Sequence, residues 1–323
     1  MKAKIHLKNL SDLFGEQDLD NLLMTLKPNY LPVRCESAMN HLRRKIPYGW
    51  DLNIYRGCEH GCKYCFAIYS HDYLKDGRFF ENVYVKTNVL EHLEKELRSP
   101  SWKRDIVNIG GVTDSYQPAE ATFQLMPEIL KLLIKYKTPA IISTKSDLVL
   151  RDYNLIDELS RITYINIAAT IITTDESVRN KIEPNGVSSS KRFEILTTFR
   201  KTNASVGLHV MPIIPYLTDT EERLDDLFAE ARKADVHYVL PGTLYLRGKT
   251  RPYFFDFIQA TYPDLYEPLK ELYKKGGADK EYKNELYERV NRLRNKYGLS
   301  ANYSAQIKNK LYKEKDLFSG MDF

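Results

Sequence analysis

Cysteine is scarce in this chain: 323 residues carry four, three of them lie between positions 58 and 65, and none follows Cys65. A disulfide framework would spread an even number of cysteines along a small secreted chain. Crowding onto one short segment points to metal instead. Long apolar runs are also missing. No stretch nears the roughly 18 residues that a membrane-spanning helix requires, so no membrane partner is expected. The opening MKAKIHLKNL carries basic residues without an apolar core and gives no secretory signal to read. A cytoplasmic protein is the expectation. Internal repeats and low-complexity tracts are absent. A net charge of +5 permits an anionic partner without demanding one.

What is present suits an ordinary globular chain, with 43% apolar and 28% charged residues, long enough for one large core plus appendages. Residues 1–48 read as a polar N-terminal extension with the basic stretch Arg43-Arg44-Lys45. From 49 to 261, short β-branched runs alternate with helical patterns. The runs predict strands over Asp51–Tyr55, Ile106–Gly110, Ala140–Thr144, Tyr164–Ala169, Val206–Ile213 and Tyr238–Leu244, with helices near 88–98, 127–136, 152–160, 190–201 and 219–233. Pro127 suits a first helical turn, where its missing N–H does no harm. Thr218 or Asp219 is the expected N-cap of the helix in EERLDDLFAEARK. Six β-then-α units imply an α/β fold with a parallel sheet, either an open doubly wound sheet or a barrel. Both arrangements place chemistry at the carboxyl ends of the strands. Residues 262–323 read as a helical C-terminal extension in which Leu286, Val290, Leu293 and Tyr297 form one apolar docking face.

The chemistry centres on Arg56-Gly57-Cys58-Glu59-His60-Gly61-Cys62-Lys63-Tyr64-Cys65-Phe66, at the end of the first predicted strand. The spacing is C-x3-C-x2-C. Three thiolates on one loop can bind three irons of a 4Fe-4S cubane and leave the fourth without a protein ligand, whereas ferredoxin-type carriers close all four corners with cysteine. An open corner is where a small molecule can be bound and reduced. Gly57 and Gly61 let the loop curl tightly and bring backbone N–H groups near sulfur. The alternative is a structural zinc site, whose fourth ligand would be Cys35, His60 or His71. An electron carrier would likewise need a fourth permanent ligand such as Cys35.

With Tyr64 before the last cysteine, this loop resembles the signature of the radical S-adenosylmethionine (SAM) superfamily. The wider string from Asn53-Ile54-Tyr55-Arg56-Gly57 through Phe66-Ala67 is similar to its spore photoproduct lyase-like group. So are Thr113-Asp114-Ser115-Tyr116-Gln117-Pro118-Ala119-Glu120, Thr144-Lys145-Ser146 with Arg151-Asp152, Glu183-Pro184 with Arg192, and Pro212-Ile213-Ile214-Pro215 with Asp219. The resemblance spans about residues 35–250. It implies a partial (β/α)6 barrel, a 4Fe-4S cluster on Cys58, Cys62 and Cys65, and SAM on the fourth iron. It further implies reductive cleavage of SAM to a 5′-deoxyadenosyl radical that abstracts hydrogen from a substrate. An electron donor such as a flavodoxin or ferredoxin is an expected partner.

The same resemblance places Tyr64 beside the adenine, Lys145 near the methionyl group, the Thr170 hydroxyl toward the cofactor and Arg192 on the SAM carboxylate. Many members end the second strand in Gly-Gly-Glu. Here Gly110-Gly111, which permit close backbone approach to the cofactor, run into Val112-Thr113-Asp114, which moves the carboxylate, and Thr113, Asp114 or backbone carbonyls are the substitutes expected to hold the SAM amine. Each residue also has a structural alternative. Lys145 could be a solvated cation, Thr170 a loop cap, Arg192 a partner of Glu183 or Glu194, and Asp114 and Glu120 helix caps. The resemblance suggests a lyase of DNA repair as one activity. Spore photoproduct lyases, however, keep a hydrogen-returning cysteine beyond the cluster loop, and this chain has none. Nucleic acid remains a candidate substrate class, because Arg292 to Lys315 interleaves cations with Tyr297, Tyr303 and Tyr312. A peptide or small metabolite is the other substrate class, and a zinc-binding nucleic-acid module is the non-enzyme alternative.

Overall fold

The computed structural model describes residues 29–43, 46 and 48–312. Of the two expected basic stretches, Arg44, Lys45, Lys313 and Lys315 lie outside the described residues. Ten strands are described: β1 (Asn29–Val33), β2 (Met39–His41), β3 (Trp50–Leu52), β4 (Tyr55–Arg56), β5 (Asn82–Lys86), β6 (Val107–Ile109), β7 (Ala140–Thr144), β8 (Ile165–Thr170), β9 (Ser205–Ile213) and β10 (Tyr238–Thr243). The longer helices are α1 (Val89–Arg98), α2 (Ala119–Phe123), α3 (Leu125–Lys135), α4 (Tyr153–Ile162), α5 (Glu176–Ile182), α6 (Ser189–Phe199), α7 (Glu221–Lys233), α8 (Thr250–Thr261), α9 (Tyr266–Leu272) and α10 (Lys280–Lys296).

Seven strands form one sheet in the order β10-β9-β8-β7-β6-β3-β2. From β3 to β10 every pairing is parallel, and β2 adds an antiparallel edge. This is the expected α/β partial barrel, six parallel strands joined by helical crossovers. The predicted strand Asp51–Tyr55 divides in two. Trp50–Leu52 stays in the main sheet, while Tyr55–Arg56 turns away to pair with β5 in a second sheet of order β1-β5-β4. The segment before residue 49 therefore supplies a strand to each sheet.

Register explains the two faces. Ile109, Ile142, Ile167 and Val206 are aligned across β6 to β9 and fully buried under the helices. Each such side chain contributes about 1.5–3 kcal/mol through removal from water. The opposite face is polar and partly open. Asn108, Ile141, Asn166 and Ser205 lie in one layer, and Ser143, Ala168, Gly207 and Tyr238 lie in the next toward the carboxyl ends. Gly207 must be glycine, because a Cβ there would run into the Tyr238 ring.

Helix α7 buries Leu224, Leu227, Phe228 and Ala231 at helical spacing. Its N-cap is Thr220, whose hydroxyl accepts from Arg223 N at 3.3 Å, not Thr218 or Asp219. The Thr218 hydroxyl instead accepts from Ile214 N, and Asp219 accepts from the Tyr282 hydroxyl, each at 2.8 Å. Pro127 stands in the first turn of α3. In α10, Leu286, Val290 and Leu293 are buried in the main core, with Tyr297 partly buried beside them. Beyond α10 the chain covers the amino ends of the strands. Ser300 O accepts from Val239 N at 2.8 Å, Ile307 packs with Ile106 and Tyr164, and Lys310 Nζ donates to the carbonyls of Ser160 and Asn203.

Candidate cluster and cofactor site

The three clustered cysteines occupy the loop between β4 and a 3₁₀ helix, Phe66–Leu74. Gly57 opens the loop at φ +89°, where a Cβ would strike the Asn82 carbonyl oxygen and crowd Phe79 O and His71. Glycine is the residue that tolerates both the dihedral and the approach. The loop is held from several sides. Cys58 N donates to Phe79 O at 3.2 Å, Lys63 N to Ile182 O at 2.9 Å, and the Thr250 hydroxyl to Cys65 O at 3.0 Å. Glu59 N donates to Gln117 Oε1 at 3.0 Å, while the Glu59 carboxylate accepts from Ala119 N at 2.7 Å and Tyr30 OH at 3.1 Å. The Gly57 carbonyl accepts from the Thr113 hydroxyl and from Gln117 Nε2.

Burial pushes all three thiols up, Cys62 to about 12, with the nearby Lys145 charge working in the opposite direction on Cys62 and Cys65. Metal ligation requires the thiolates, so iron would displace these protons. Among the described residues, no three His, Cys, Asp or Glu side chains converge on a single metal ion. A mononuclear zinc site requires such convergence; a cubane, which takes each sulfur on a separate iron, does not. Two of the proposed fourth zinc ligands are engaged elsewhere, and the buried His71 ring nitrogens have no hydrogen-bond partner among the described residues. The Cys35 thiol is 3.4 Å from Asn88 Oδ1, His60 contacts Asp114 Oδ2 at 2.9 Å and Asn185 O at 3.2 Å, and His71 lies edge-on between Phe79 and Tyr84.

Behind the loop, at the carboxyl ends of β6, β7 and β8, two buried networks meet. Asp114 accepts from His60 Nε2, the Thr144 hydroxyl (2.8 Å), Lys145 N (2.9 Å) and Tyr116 N (2.9 Å). Burial alone would raise this carboxyl, but the His60 ring, the Lys145 charge and these hydrogen bonds hold it well below its usual range. The second network joins Tyr64, Glu183 and Arg192. The Tyr64 hydroxyl and Arg192 Nη1 both donate to Glu183, and Arg192 also donates to the Thr170 carbonyl and the Val187 carbonyl, each at 2.9 Å. Lys145 Nζ stands 5.9 Å above the Tyr64 ring. Burial works against its charge, and Cys62, Glu183 and Asp114 more than restore it.

Comparison with known proteins decides the family. Residues 52–228 match the radical SAM superfamily model. This chain belongs to the radical SAM superfamily. The uncharacterized protein Rv2578c of Mycobacterium tuberculosis is 36% identical over 277 residues, 84% of this chain and 82% of that protein. The uncharacterized protein MJ0683 of Methanocaldococcus jannaschii is 29% identical over 246 residues, 76% of this chain and 88% of that protein. Among solved structures, a spore photoproduct lyase variant with bound AdoMet and dinucleoside spore photoproduct superimposes with a TM-score of 0.63 at 14% identity, covering 92% of this chain and 85% of that one. That likeness establishes the shared fold.

Superfamily membership implies a 4Fe-4S cluster and SAM, and the residues present fit both. Three sulfurs share one loop, with Cys58 and Cys62 buried and Cys65 partly buried, and Arg192 keeps its buried Nη2 without a hydrogen-bond partner. The expected site residues take these places. Arg192 pairs with Glu183, one of its two expected partners, through Nη1, which also reaches the Thr170 carbonyl, while Nε donates to Val187 O. Thr170 contributes its carbonyl to that arrangement. Asp114 ties the second and third strand ends to the cysteine loop. Glu120 is a cap: buried, it accepts from Leu125 N and Met126 N at the start of α3 and from Tyr55 OH and Arg151. Gly110 turns at φ +87°, and a Cβ on Gly111 would enter the Asp51 carboxylate. Asp51, which accepts from Asn53 and Asn108 at 2.7 Å each, is the acid beside the paired glycines, and sequence reading passed over it. The signal was an acidic residue inside a predicted strand, alternating with apolar Leu52 and Ile54.

Proposed function

We propose that this chain cleaves SAM reductively and uses the resulting radical to abstract hydrogen from a substrate. One observation carries the reading: three cysteines on a glycine-hinged, fully tied loop at the carboxyl ends of six parallel strands, next to Lys145 and the Glu183–Arg192 pair. When bound, the reduced cluster supplies the electron that splits SAM into methionine and a 5′-deoxyadenosyl radical. Cys58, Cys62 and Cys65 hold the cluster. The Lys145 ammonium and Arg192 guanidinium offset the negative charge of three thiolates in a buried setting. Glu183 orients Tyr64 and Arg192 together, so the wall beside the cysteines is fixed before any ligand arrives. Tight packing around this wall excludes water, which protects reactive species from side reactions.

The test is anaerobic reconstitution with iron and sulfide, followed by dithionite and SAM. Production of 5′-deoxyadenosine is expected, and Cys62→Ala should abolish it together with most bound iron. Intact SAM in fully loaded wild-type protein would overturn the reading.

A second reading assigns nucleic acid as the substrate class. Exposed Tyr216 and Tyr245 follow β9 and β10, and the Arg247 guanidinium lies 5.1 Å above the Tyr245 ring. Aromatics paired with cations suit unstacked bases and phosphates. The solved neighbour bound to a dinucleoside spore photoproduct supports the same class. Repair through a hydrogen-returning cysteine after the loop is not included, since no cysteine follows Cys65. Single-stranded oligonucleotides should bind with an affinity that falls steeply as salt rises, and Tyr245→Ala with Arg247→Ala should remove that binding; salt-independent or unchanged binding rules it out.

A further inference from the structure

The described large apolar side chains that remain most exposed are Phe66 (60%), Tyr69 (42%), Tyr73 (77%), Tyr216 and Tyr245. Three of the five stand on the one 3₁₀ helix that leaves Cys65. At the three-residue repeat of a 3₁₀ helix Phe66 and Tyr69 stand in one row, and Tyr73 is exposed at the helix end, while Ala67, Ser70 and His71 are buried. An aromatic face turned outward on a single helix marks a contact surface more strongly than scattered apolar residues do.

The charge around this face is mainly positive. Residues 63–78 and 245–251 contain Lys63, Lys75, Arg78, Arg247, Lys249 and Arg251 against Asp72 and Asp76. Both acids are engaged within the protein. Asp72 pairs with Lys249, and Asp76 accepts from Arg78 N, Asn82 Nδ2 and Tyr84 OH. Lys75 is exposed with no carboxylate partner among the described residues. The face thus presents aromatics beside an excess of cations, of which Lys249 and Arg78 are paired with Asp72 and Asp76 while Lys75 has no carboxylate partner among the described residues.

Position selects the partner. Phe66 is bonded directly to Cys65, Ala67 packs with Cys58 and Phe79, and Thr250 of the adjoining helix α8 donates to the Cys65 carbonyl. An electron must enter where its carrier can approach the cluster closely. A substrate must instead reach the carboxyl ends of the strands. We propose that the Phe66–Leu74 helix with Lys75 and Arg78 is the docking surface for a small acidic one-electron carrier protein that reduces the cluster. This rests on the cluster chemistry proposed above and names its electron source. One electron leaves the reduced carrier and enters the oxidised cluster; the carrier is oxidised by one electron, and no bond or proton moves. Transient redox complexes are small and electrostatically steered, which an apolar face inside a cationic rim provides.

The test uses reconstituted holoprotein and a purified acidic flavodoxin as the probe. Tyr73→Ala combined with Lys75→Glu should weaken flavodoxin binding at low salt by at least about tenfold, as expected for loss of a central aromatic with a steering charge. Flavodoxin-driven SAM cleavage should fall in parallel, while dithionite-driven cleavage and iron content match wild type. Tyr69→Ala, on the same helix, should weaken binding to a smaller extent. Wild-type flavodoxin binding in both variants overturns the proposal. So does loss of single-stranded oligonucleotide binding with flavodoxin binding intact, which would mark the face as a nucleic-acid surface. Failure of dithionite-driven cleavage in the wild type would count against the function reading alone, because the binding comparison is independent of turnover.

Discussion

Two segments of this chain interleave cations with aromatics, residues 63–78 and residues 292–312, and the folded protein treats them differently. In the C-terminal segment the cations stay at the surface but find partners within the chain. Arg292 pairs with Glu221, Lys296 with Asp225 at 2.6 Å, and Arg294 donates to Asn291, while Lys310 binds two backbone carbonyls. Tyr297 and Tyr303 are partly buried against the core and the Tyr238 ring. After the cluster loop, aromatics and cations instead remain open to solvent. The lesson is that composition alone does not define a binding face. What decides is whether carboxylates and carbonyls of the same chain lie within reach.

The comparison is probed most severely where charge is fully buried. Arg192→Met leaves Glu183 without its cation, so a loss of about 3–5 kcal/mol in chemical unfolding is expected; pairing the change with Glu183→Gln should recover part of it. A near-neutral single variant would show that the inward pair is not structural. Next in size is His209, on the inner face of the barrel between the Ser143 hydroxyl (3.2 Å) and the Tyr238 hydroxyl (3.1 Å). Burial, with the Lys145 charge, holds this imidazole down to about 4 from an ordinary 6.5. The folded value is depressed, so its contribution is complete above pH 6.5 and lost as pH falls toward 4. His209→Gln should flatten the stability curve in that window by up to about 1.4 kcal/mol per pH unit. An unchanged slope would mean that the ring is protonated in the fold. The smallest effect belongs to the C-terminal pairs. Arg292→Ala with Lys296→Ala should cost no more than about 1 kcal/mol, as exposed ion pairs do, and leave flavodoxin and oligonucleotide binding unchanged. A large loss of either would reverse the contrast between the two segments.

The six parallel strands were readable because both periodicities were clear: β-branched runs of strand length separated by helical stripes such as Leu224, Leu227, Phe228 and Ala231. The three-stranded sheet was not. Strand β1 contains Pro32, which argues against a strand, and it is tolerated because β1 lies at an edge of its sheet. The division of Asp51–Tyr55 left no mark on the alternation, because the turn at Asn53 is fixed by Asp51 and by Val112 N, residues brought together only by folding. In the site, the cysteine spacing carried its own chemistry. The partners of Asp114 and Glu59 did not, since each joins segments between about 30 and 60 residues apart; the Arg192–Glu183 pair was one of the two pairings the sequence offered, and burial favours it over Glu194.

Ser300, Ile307 and Lys310 close over the amino ends of the strands with segments from distant parts of the chain. Among the described residues, that leaves the carboxyl ends, where Tyr216 and Tyr245 stand exposed, as the candidate doorway. A substrate that enters past Tyr216 and Tyr245 would leave by the same threshold, while an electron arriving through the wall beside Cys65 need not wait for the doorway to clear.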